Sequence, residues 1–183
     1  MKANHIMLDL ETLDTGPRSV VTSIGAVVFR PDEAVLGDTF YVELTDDLLA
    51  QQKLGRTING DTVKWWMQQD PAAKKIFANP GMPGVRVNTV LGLDMFRKFV
   101  LEHESVDGMW GNGADFDNII LGSLYEDYGL RKPWSYGNNR CFRTYKNHPG
   151  VPHKYERTGT HHNALDDAIT QAKHLQRIWT CLK

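Results

Sequence analysis

The segment HIMLDLE, from His5 to Glu11, places two carboxylates in an otherwise apolar run. A short apolar run of this kind predicts a buried central strand. Asp9 and Glu11 are two residues apart, so in a strand their side chains point to the same face. Two like charges facing a core repel each other unless a positive group lies beside them, and a divalent cation with oxygen ligands meets that need. A solvated strand end is the alternative for an isolated pair of acids.

The size and composition of the chain fit one compact domain. It has 183 residues and a formal net charge of −1, so no global basic field attracts nucleic acid or a membrane surface, although a local basic groove is compatible with that total. Only Cys141 and Cys181 are present, too few for a disulfide framework or a cysteine-based zinc site. No apolar run reaches the ~18 residues of a membrane span, and the N-terminus lacks the apolar stretch of a signal peptide. We therefore expect a cytoplasmic protein with no membrane partner.

Apolar periodicity predicts an α/β fold. We expect strands over HIMLDLE, SVVTSIGAVVFR and TFYVEL, joined as an antiparallel meander, and then over VDGMWGNG and the edge segment NRCFRTY. Helices are expected over DTVKWWMQQDPAAKKIFA, with Asp61 as N-cap and a break after which Pro71 restarts the helix, after Asn88 as N-cap, over FDNIILGSLYEDYGL, and from Ala164 to Leu182. Strands followed by alternating helix and strand indicate a mixed sheet covered by helices.

A second acidic pair lies in the segment GNGADFDNIIL, just before a predicted helix. Asp115 or Asp117 could cap that helix, which is the ordinary role of a single aspartate at such a position. Phe116 stands between them, which indicates that the two aspartates flank an anchored apolar side chain.

The segment HHNALDDA, from His161 to Ala168, begins the last predicted helix. At about 100° per residue, Asp167 lies at the edge of the apolar stripe and can face a cleft, whereas Asp166 points to solvent. His162 falls on the other flank, so it can serve the same site only from the entering loop or the first turn. His161 would fall on the apolar face as a packing residue. For this segment alone, a polar helix start is the alternative.

Together the three segments resemble the DEDD superfamily of 3′→5′ exonucleases, in its histidine-containing branch. LDLET supplies Asp9 and Glu11, NGADFDNIIL supplies Asp117, and HNALDDA supplies His162 and Asp167 at the H-x4-D spacing of that branch. LDLETLDTGPRSVVTSIGAVVF, TVKWWMQQ, WGNGADFDNIIL and RCFRTY extend the likeness over nearly the whole chain, to the Rv2179c-like 3′→5′ exoribonuclease family. The resemblance implies one exonuclease domain over residues 1–183, with an RNase H-like α/β fold, a five-stranded mixed sheet flanked by helices.

The resemblance also implies a chemistry. Asp9, Glu11, Asp117 and Asp167 would hold two divalent cations, Mg²⁺ or Mn²⁺, and His162 would act as general base. The substrate would be the 3′ end of single-stranded RNA or DNA, hydrolysed to nucleoside 5′-monophosphates. A homodimer is a further expectation from the family.

Several residues are candidates to contact the substrate. By resemblance, Thr12 and Leu13 would hold the terminal nucleotide. Trp65 and Trp66 cannot both face the core from one helix, so one is a candidate to stack on a base, with core packing of both as the alternative. The remaining candidates are Phe116, which adjoins Asp117, and Arg143, for which phosphate binding competes with a surface salt bridge.

Two other functions are compatible with parts of this pattern. One is a catalytically silent nucleic-acid-binding module on the same fold, against which the presence of all five expected catalytic residues argues. The other is a metal-dependent phosphohydrolase acting on small nucleotides, which shares the D-x-E pair but is not expected to have the H-x4-D motif.

Overall fold

The computed structural model of the chain describes residues 4–78, 85–103 and 106–182. Its centre is a five-stranded mixed sheet. In chain order the strands are β1 (Asn4–Thr12), β2 (Val21–Phe29), β3 (Leu36–Glu43), β4 (Val106–Gly111) and β5 (Asn139–Cys141). Across the sheet their order is β3-β2-β1-β4-β5, so β1 is the central strand.

Strand directions agree with the sequence pattern. β1 pairs with β2 and β2 with β3 in antiparallel fashion, which confirms the predicted meander. β4 runs parallel to β1, and β5 runs parallel to β4. The carboxyl ends of β1, β4 and β5 therefore meet at one edge of the sheet, where side chains from separate parts of the sequence can converge.

Helices cover both faces of the sheet. They are α1 (Leu48–Lys53), α2 (Gly60–Met67), α3 (Thr89–Glu102), α4 (Asp117–Asp127), α5 (Phe142–Lys146) and α6 (Ala164–Cys181). One core cluster joins α3 and α4 to the sheet, and another joins α5 and α6 to its opposite face. This arrangement confirms the predicted mixed sheet flanked by helices. Within the described ranges, each helix is too short or too polar to cross a bilayer.

Local predictions differ from the structure in three places. The predicted Asp61 cap is wrong, because Asp61 lies inside α2, and the side chain of Asn59 caps that helix by accepting a hydrogen bond from the Asp61 amide at 2.8 Å. The predicted break before Pro71 is confirmed, since α2 ends at Met67, but the segment after Pro71 forms a 3₁₀ turn over Ala73–Phe77 in place of a restarted helix. The predicted edge strand in NRCFRTY is confirmed over Asn139–Cys141, after which α5 begins. The predicted Asn88 cap of α3 is confirmed by its 2.9 Å bond from the Leu91 amide.

The beginning of α6 lies directly against the sheet at Gly25. Gly25 is the β2 residue paired with Asp9 of β1, and a Cβ atom at position 25 would overlap the backbone of Ala164 and Leu165. Only glycine permits this approach. The first turn of α6 is thereby held over the carboxylates of the central strand.

We expect Gly25→Ala to lower the free energy of unfolding by ~1–3 kcal/mol, the usual cost of inserting a methyl group into a packed site. Gly60→Ala is the matched control, because a Cβ there meets nothing within 4 Å, and it should change stability by less than about 1 kcal/mol. Chemical denaturation of both variants measures the difference. Equal stability of the two would show that α6 does not depend on this contact.

Candidate active site

Two acidic side chains of β1 share the face that carries α6. Met7 of the same strand packs with α6, whereas Leu8 and Leu10 pack with α3 and α4 on the opposite face. Asp9 and Glu11 therefore follow the alternation that the sequence predicts. Asp9 Oδ1 accepts a 2.7 Å hydrogen bond from the Gln171 side chain of α6, and Glu11 is 7% exposed.

Asp117 is the first residue of α4, next to the carboxyl end of β4. It is 2% exposed, and its two carboxylate oxygens accept hydrogen bonds from the backbone amides of Leu10 at 3.2 Å and Asn112 at 2.9 Å. Asp115 is exposed. The structure thus brings Asp117, and not Asp115, against the end of the central strand.

Asp167 reaches the same place from the first turn of α6. The side chain of Asn163 caps this helix by accepting bonds from the Leu165 and Asp166 amides, both at 3.1 Å. Asp167 is 7% exposed, and Arg157 donates to its Oδ1. The prediction that Asp166 points to solvent is wrong. It is half-buried and accepts a 2.6 Å bond from the Thr160 amide, so it holds the loop that leads into the helix.

His162 lies in the loop immediately before the Asn163 cap, as the flank geometry predicts. Its φ is 60°, a conformation that non-glycine residues rarely adopt. One ring nitrogen of His162 and one carboxylate oxygen each of Glu11 and Asp167 lie within 4.8 Å of one another. The prediction for His161 is wrong: its ring is exposed and stacks on that of His162 at a centroid distance of 3.7 Å, with no place in the core.

Burial and mutual repulsion govern the charge of this cluster. The pKa of Asp9 is raised well above its usual value by burial and by the neighbouring Asp117, Glu11 and Asp167. Burial and two of these neighbours, Asp167 and Asp117, raise the pKa of Glu11 to about 8. Burial raises the pKa of Asp117 to about 7 despite its backbone hydrogen bonds.

The cluster fits a divalent cation. Its donors are carboxylate oxygens, the ligands that Mg²⁺ and Mn²⁺ prefer, and their repulsion is relieved by a positive charge placed among them. In the described part of the chain, the cationic side chain paired with this cluster is Arg157. The acidic cluster is therefore a candidate metal site.

An open cleft of about 520 Å³ adjoins Glu11. Of the predicted substrate contacts, Thr12, Trp65, Trp66 and Phe116 line it. Trp65 is 40% exposed and lies edge-on to His162 at 4.6 Å between ring centroids. Trp66 is 2% exposed and its indole N–H donates to the Thr12 carbonyl at 2.9 Å, so it also supports the cleft wall.

Two other predicted contacts lie elsewhere. Leu13 is buried in a separate apolar cluster with Trp66 and does not line the cleft. Its amide donates to the Val20 carbonyl and its own carbonyl accepts from the Asn59 amide, so its backbone polar groups are also occupied. Arg143 is an exposed residue of α5 and does not line the cleft. Its guanidinium donates at 2.6 Å to the carbonyl of Asn112, whose amide donates to Asp117.

Sequence reasoning missed Gln171, which donates to Asp9. A signal was present, since Gln171 is four residues after Asp167 and therefore lies on the same face of α6. The pairing of Arg157 with Asp167 had no such signal, because the intervening loop has no regular period.

Without divalent cations, we expect the protein to lose stability as the pH rises. Glu11 has a folded-state pKa of about 8, above its ordinary 4.5, so its protonated form favours the folded state below pH 4.5 and this contribution is lost as the pH rises toward 8. Melting temperatures in chelator between pH 5 and pH 8.5 measure the loss. Glu11→Gln should flatten the profile, and Mn²⁺ should raise the melting temperature of the wild type most at the alkaline end. A wild-type profile no steeper than that of Glu11→Gln would contradict the mutual repulsion described above.

Known exonucleases are similar to this chain in sequence or in fold. The exodeoxyribonuclease of Enterobacteria phage T4 is 27% identical over 135 residues, which is 66% of this chain and 55% of that protein. A complex of E. coli exonuclease I with single-stranded DNA, in a zinc-bound form, superposes with a TM-score of 0.66 at 13% identity, over 98% of this chain and 41% of the other. A full-length 3′-exonuclease superposes with a TM-score of 0.60 at 13% identity, over 97% of this chain and 61% of the other.

These comparisons confirm the expected fold and show how much of each known exonuclease the chain matches. The structural likeness shows the RNase H-like exonuclease fold. The chain spans about half the length of the T4 protein and less than half that of exonuclease I. The sequence profile of the 3′-5′ exoribonuclease Rv2179c-like domain matches residues 4–179, almost the whole chain. The chain belongs to this family of 3′–5′ exonuclease domains.

Proposed function

We propose that this chain hydrolyses single-stranded RNA or DNA from the 3′ end and releases nucleoside 5′-monophosphates, in a reaction that depends on divalent cations. The observation that carries the proposal is the convergence of four interacting carboxylates from β1, α4 and α6, with His162 beside two of them, Glu11 and Asp167. A related exonuclease in the same fold is described in complex with single-stranded DNA, which supports a nucleic-acid strand as the substrate class.

Asp9, Glu11, Asp117 and Asp167 are the proposed ligands of two divalent cations, Mg²⁺ or Mn²⁺. When bound, such cations lower the pKa of a water molecule and stabilise negative charge on the leaving oxygen. Gln171 holds the carboxylate of Asp9, and two backbone amides hold that of Asp117, so both side chains are oriented in advance.

His162 is the proposed general base. Burial, His161 and Arg157 lower its pKa to about 4, so its imidazole is neutral at pH 7 and has a free nitrogen to accept a proton, although it is a weaker base than an unperturbed imidazole. Its position beside Glu11 and Asp167 lets it take the proton from the attacking water. Packing against Trp65 limits the orientations of the ring.

The cleft beside Glu11 is the proposed site of the terminal nucleoside. Trp65 offers an exposed aromatic surface on which a base can stack, and Phe116 provides an apolar wall. We propose no substrate contact for the side chain of Leu13, because it lies outside this cleft.

The proposal is tested with 5′-labelled single strands of RNA and DNA, incubated with Mg²⁺, with Mn²⁺ or with chelator. We expect a ladder that shortens from the 3′ end only when a cation is present. Asp9→Ala, Glu11→Ala and Asp117→Asn should reduce it to background, because each removes a ligand charge. Asp115→Asn is the matched control for position 117 and should keep most of the activity.

Other outcomes would identify the competing functions. Tight binding of intact strands with no cleavage would indicate a silent binding module. Hydrolysis of free nucleotides alone would indicate a small-nucleotide phosphohydrolase. Full activity of Asp9→Ala or Glu11→Ala would contradict the assignment of the carboxylates.

Replacing each histidine separately tests the base. We expect His162→Ala to reduce turnover by ~10²–10⁴, the usual contribution of a general base, with little change in Mn²⁺ affinity. Asp167→Ala should weaken both turnover and Mn²⁺ affinity, since Asp167 is a proposed ligand. His161→Ala, which removes only an exposed stacked ring, should have a much smaller effect on turnover. Loss of Mn²⁺ binding in His162→Ala would instead make His162 a ligand.

A further inference from the structure

Charges are distributed unevenly around the carboxylate cluster. On one side lies the cleft described above, whose walls include Asp14 and Asp61 in addition to Glu11. Within the described chain, its lining contains neither lysine nor arginine. This side accommodates a nucleoside but repels a run of phosphates.

A group of cations, which we name the basic face, lies on α5 and on the segment before α6, outside the lining of this cleft: Arg143, Lys146, Lys154 and Arg157. Arg143 donates to the carbonyl of Asn112, whose amide donates to Asp117, so Arg143 lies beside the cluster. Arg157 contacts Asp167 directly, so the basic face begins at the carboxylates. Arg143 also lowers the pKa of Lys146, which places these two cations near each other.

The segment that carries Lys154 and Arg157 is held in place by packing. A ring nitrogen of His153 lies 2.8 Å from the Lys146 carbonyl oxygen of α5. A ring nitrogen of His174 in α6 lies 2.6 Å from the Pro152 carbonyl oxygen, and Tyr155 stacks on the His174 ring at 5.4 Å. Lys154 and Arg157 are nevertheless exposed, so a segment that is fixed by these contacts presents their charged side chains to solvent.

Most of these charges have no acidic partner. Among the residues that the structure describes, no carboxylate forms an ion pair with Arg143, Lys146 or Lys154. The sequence from residue 140 to residue 157 contains a single acid, Glu156. Unpaired cations near one another repel, and an anion with several charges relieves that repulsion.

We infer that the basic face binds the backbone phosphates on the 5′ side of the scissile bond, so that the strand crosses this face and enters the cleft with its 3′ end. The inference rests on the proposed function and adds to it the path of the strand. Guanidinium and ammonium groups are the usual phosphate ligands in proteins. Affinity should then increase with strand length, because each added nucleotide on the 5′ side adds a phosphate.

The test compares two double variants of equal charge. Lys146→Gln/Lys154→Gln removes two charges of the basic face and leaves Arg157, which contacts a proposed cation ligand, and Arg143, which lies beside Asp117, in place. The control, Arg131→Gln/Lys132→Gln, removes the same charge around a groove beside Trp134, whose core cluster lies on the other face of the sheet. Binding of a labelled 12-nucleotide strand is measured in chelator by fluorescence anisotropy, and cleavage of a dinucleotide is measured with Mn²⁺.

We expect the first variant to weaken binding of the 12-nucleotide strand at least about fivefold near physiological salt. Two lost phosphate contacts should also reduce the slope of log affinity against log salt by about 1.4. A dinucleotide has no phosphate beyond the scissile one, so its KM should change by less than about twofold. The control variant should bind the 12-nucleotide strand like the wild type.

Three results would overturn the inference. They are an equal loss in the control variant, an unchanged salt slope, and an effect on the dinucleotide as large as that on the longer strand. Failure of the wild type to cleave any strand would instead contradict the proposed function. Binding in chelator would still test the basic face in that case, because it needs no catalysis. Unchanged melting temperatures would verify that both variants fold.

Discussion

Repulsion among the buried carboxylates is the constraint on which the rest of the structure depends. Asp9 and Glu11 occupy the central strand, and burial raises the pKa of both. The apolar side chains that precede them in the strand, Ile6, Met7 and Leu8, are fully buried and stabilise the strand that carries these acids. In the absence of cations, holding the acids together lowers the free energy of unfolding, and the packing of the rest of the fold compensates for this loss. Under the proposed function, stability and cation binding are therefore linked through the same four side chains.

Close approach of α6 to the sheet turns these separate acids into one site. Gly25 removes the side chain that would keep the helix away, and Asn163 fixes where its first turn begins. Asp167 and Gln171 then project from one face of the helix toward β1. Asp117 is oriented in another way, by hydrogen bonds from two backbone amides at the ends of β1 and β4. Three elements that are far apart in sequence thus orient their carboxylates before any cation arrives.

The parts of this site that follow a regular period could be predicted from the sequence. Alternation along β1 predicts the shared face of Asp9 and Glu11, and helical spacing predicts that Asp167 faces inward. Prediction failed where the chain has no period. His161 belongs to a turn shaped by the positive φ of Gly159 and His162, so helical geometry extrapolated backward into the turn misplaced it. Asp166 lies in the first turn of α6, but its carboxylate accepts a hydrogen bond from the Thr160 amide of the preceding segment, which a helical period does not reveal. The cap at Asn59 instead of Asp61 has another cause: both side chains are good caps, and tertiary packing selects between them.

A net charge of −1 conceals the distribution that matters most for a nucleic-acid enzyme. The acids are concentrated at the cluster and the cleft, whereas the basic face consists of cations of α5 and the segment before α6. Without divalent cations, the carboxylates of the cluster that are ionised repel phosphate and weaken the attraction exerted by the basic face. With cations, both regions attract it. Under the proposed function, cations and strand must therefore strengthen each other's binding, by thermodynamic linkage, even where they share no ligand. Cation binding at the carboxylate cluster would then control how strongly the basic face binds the strand.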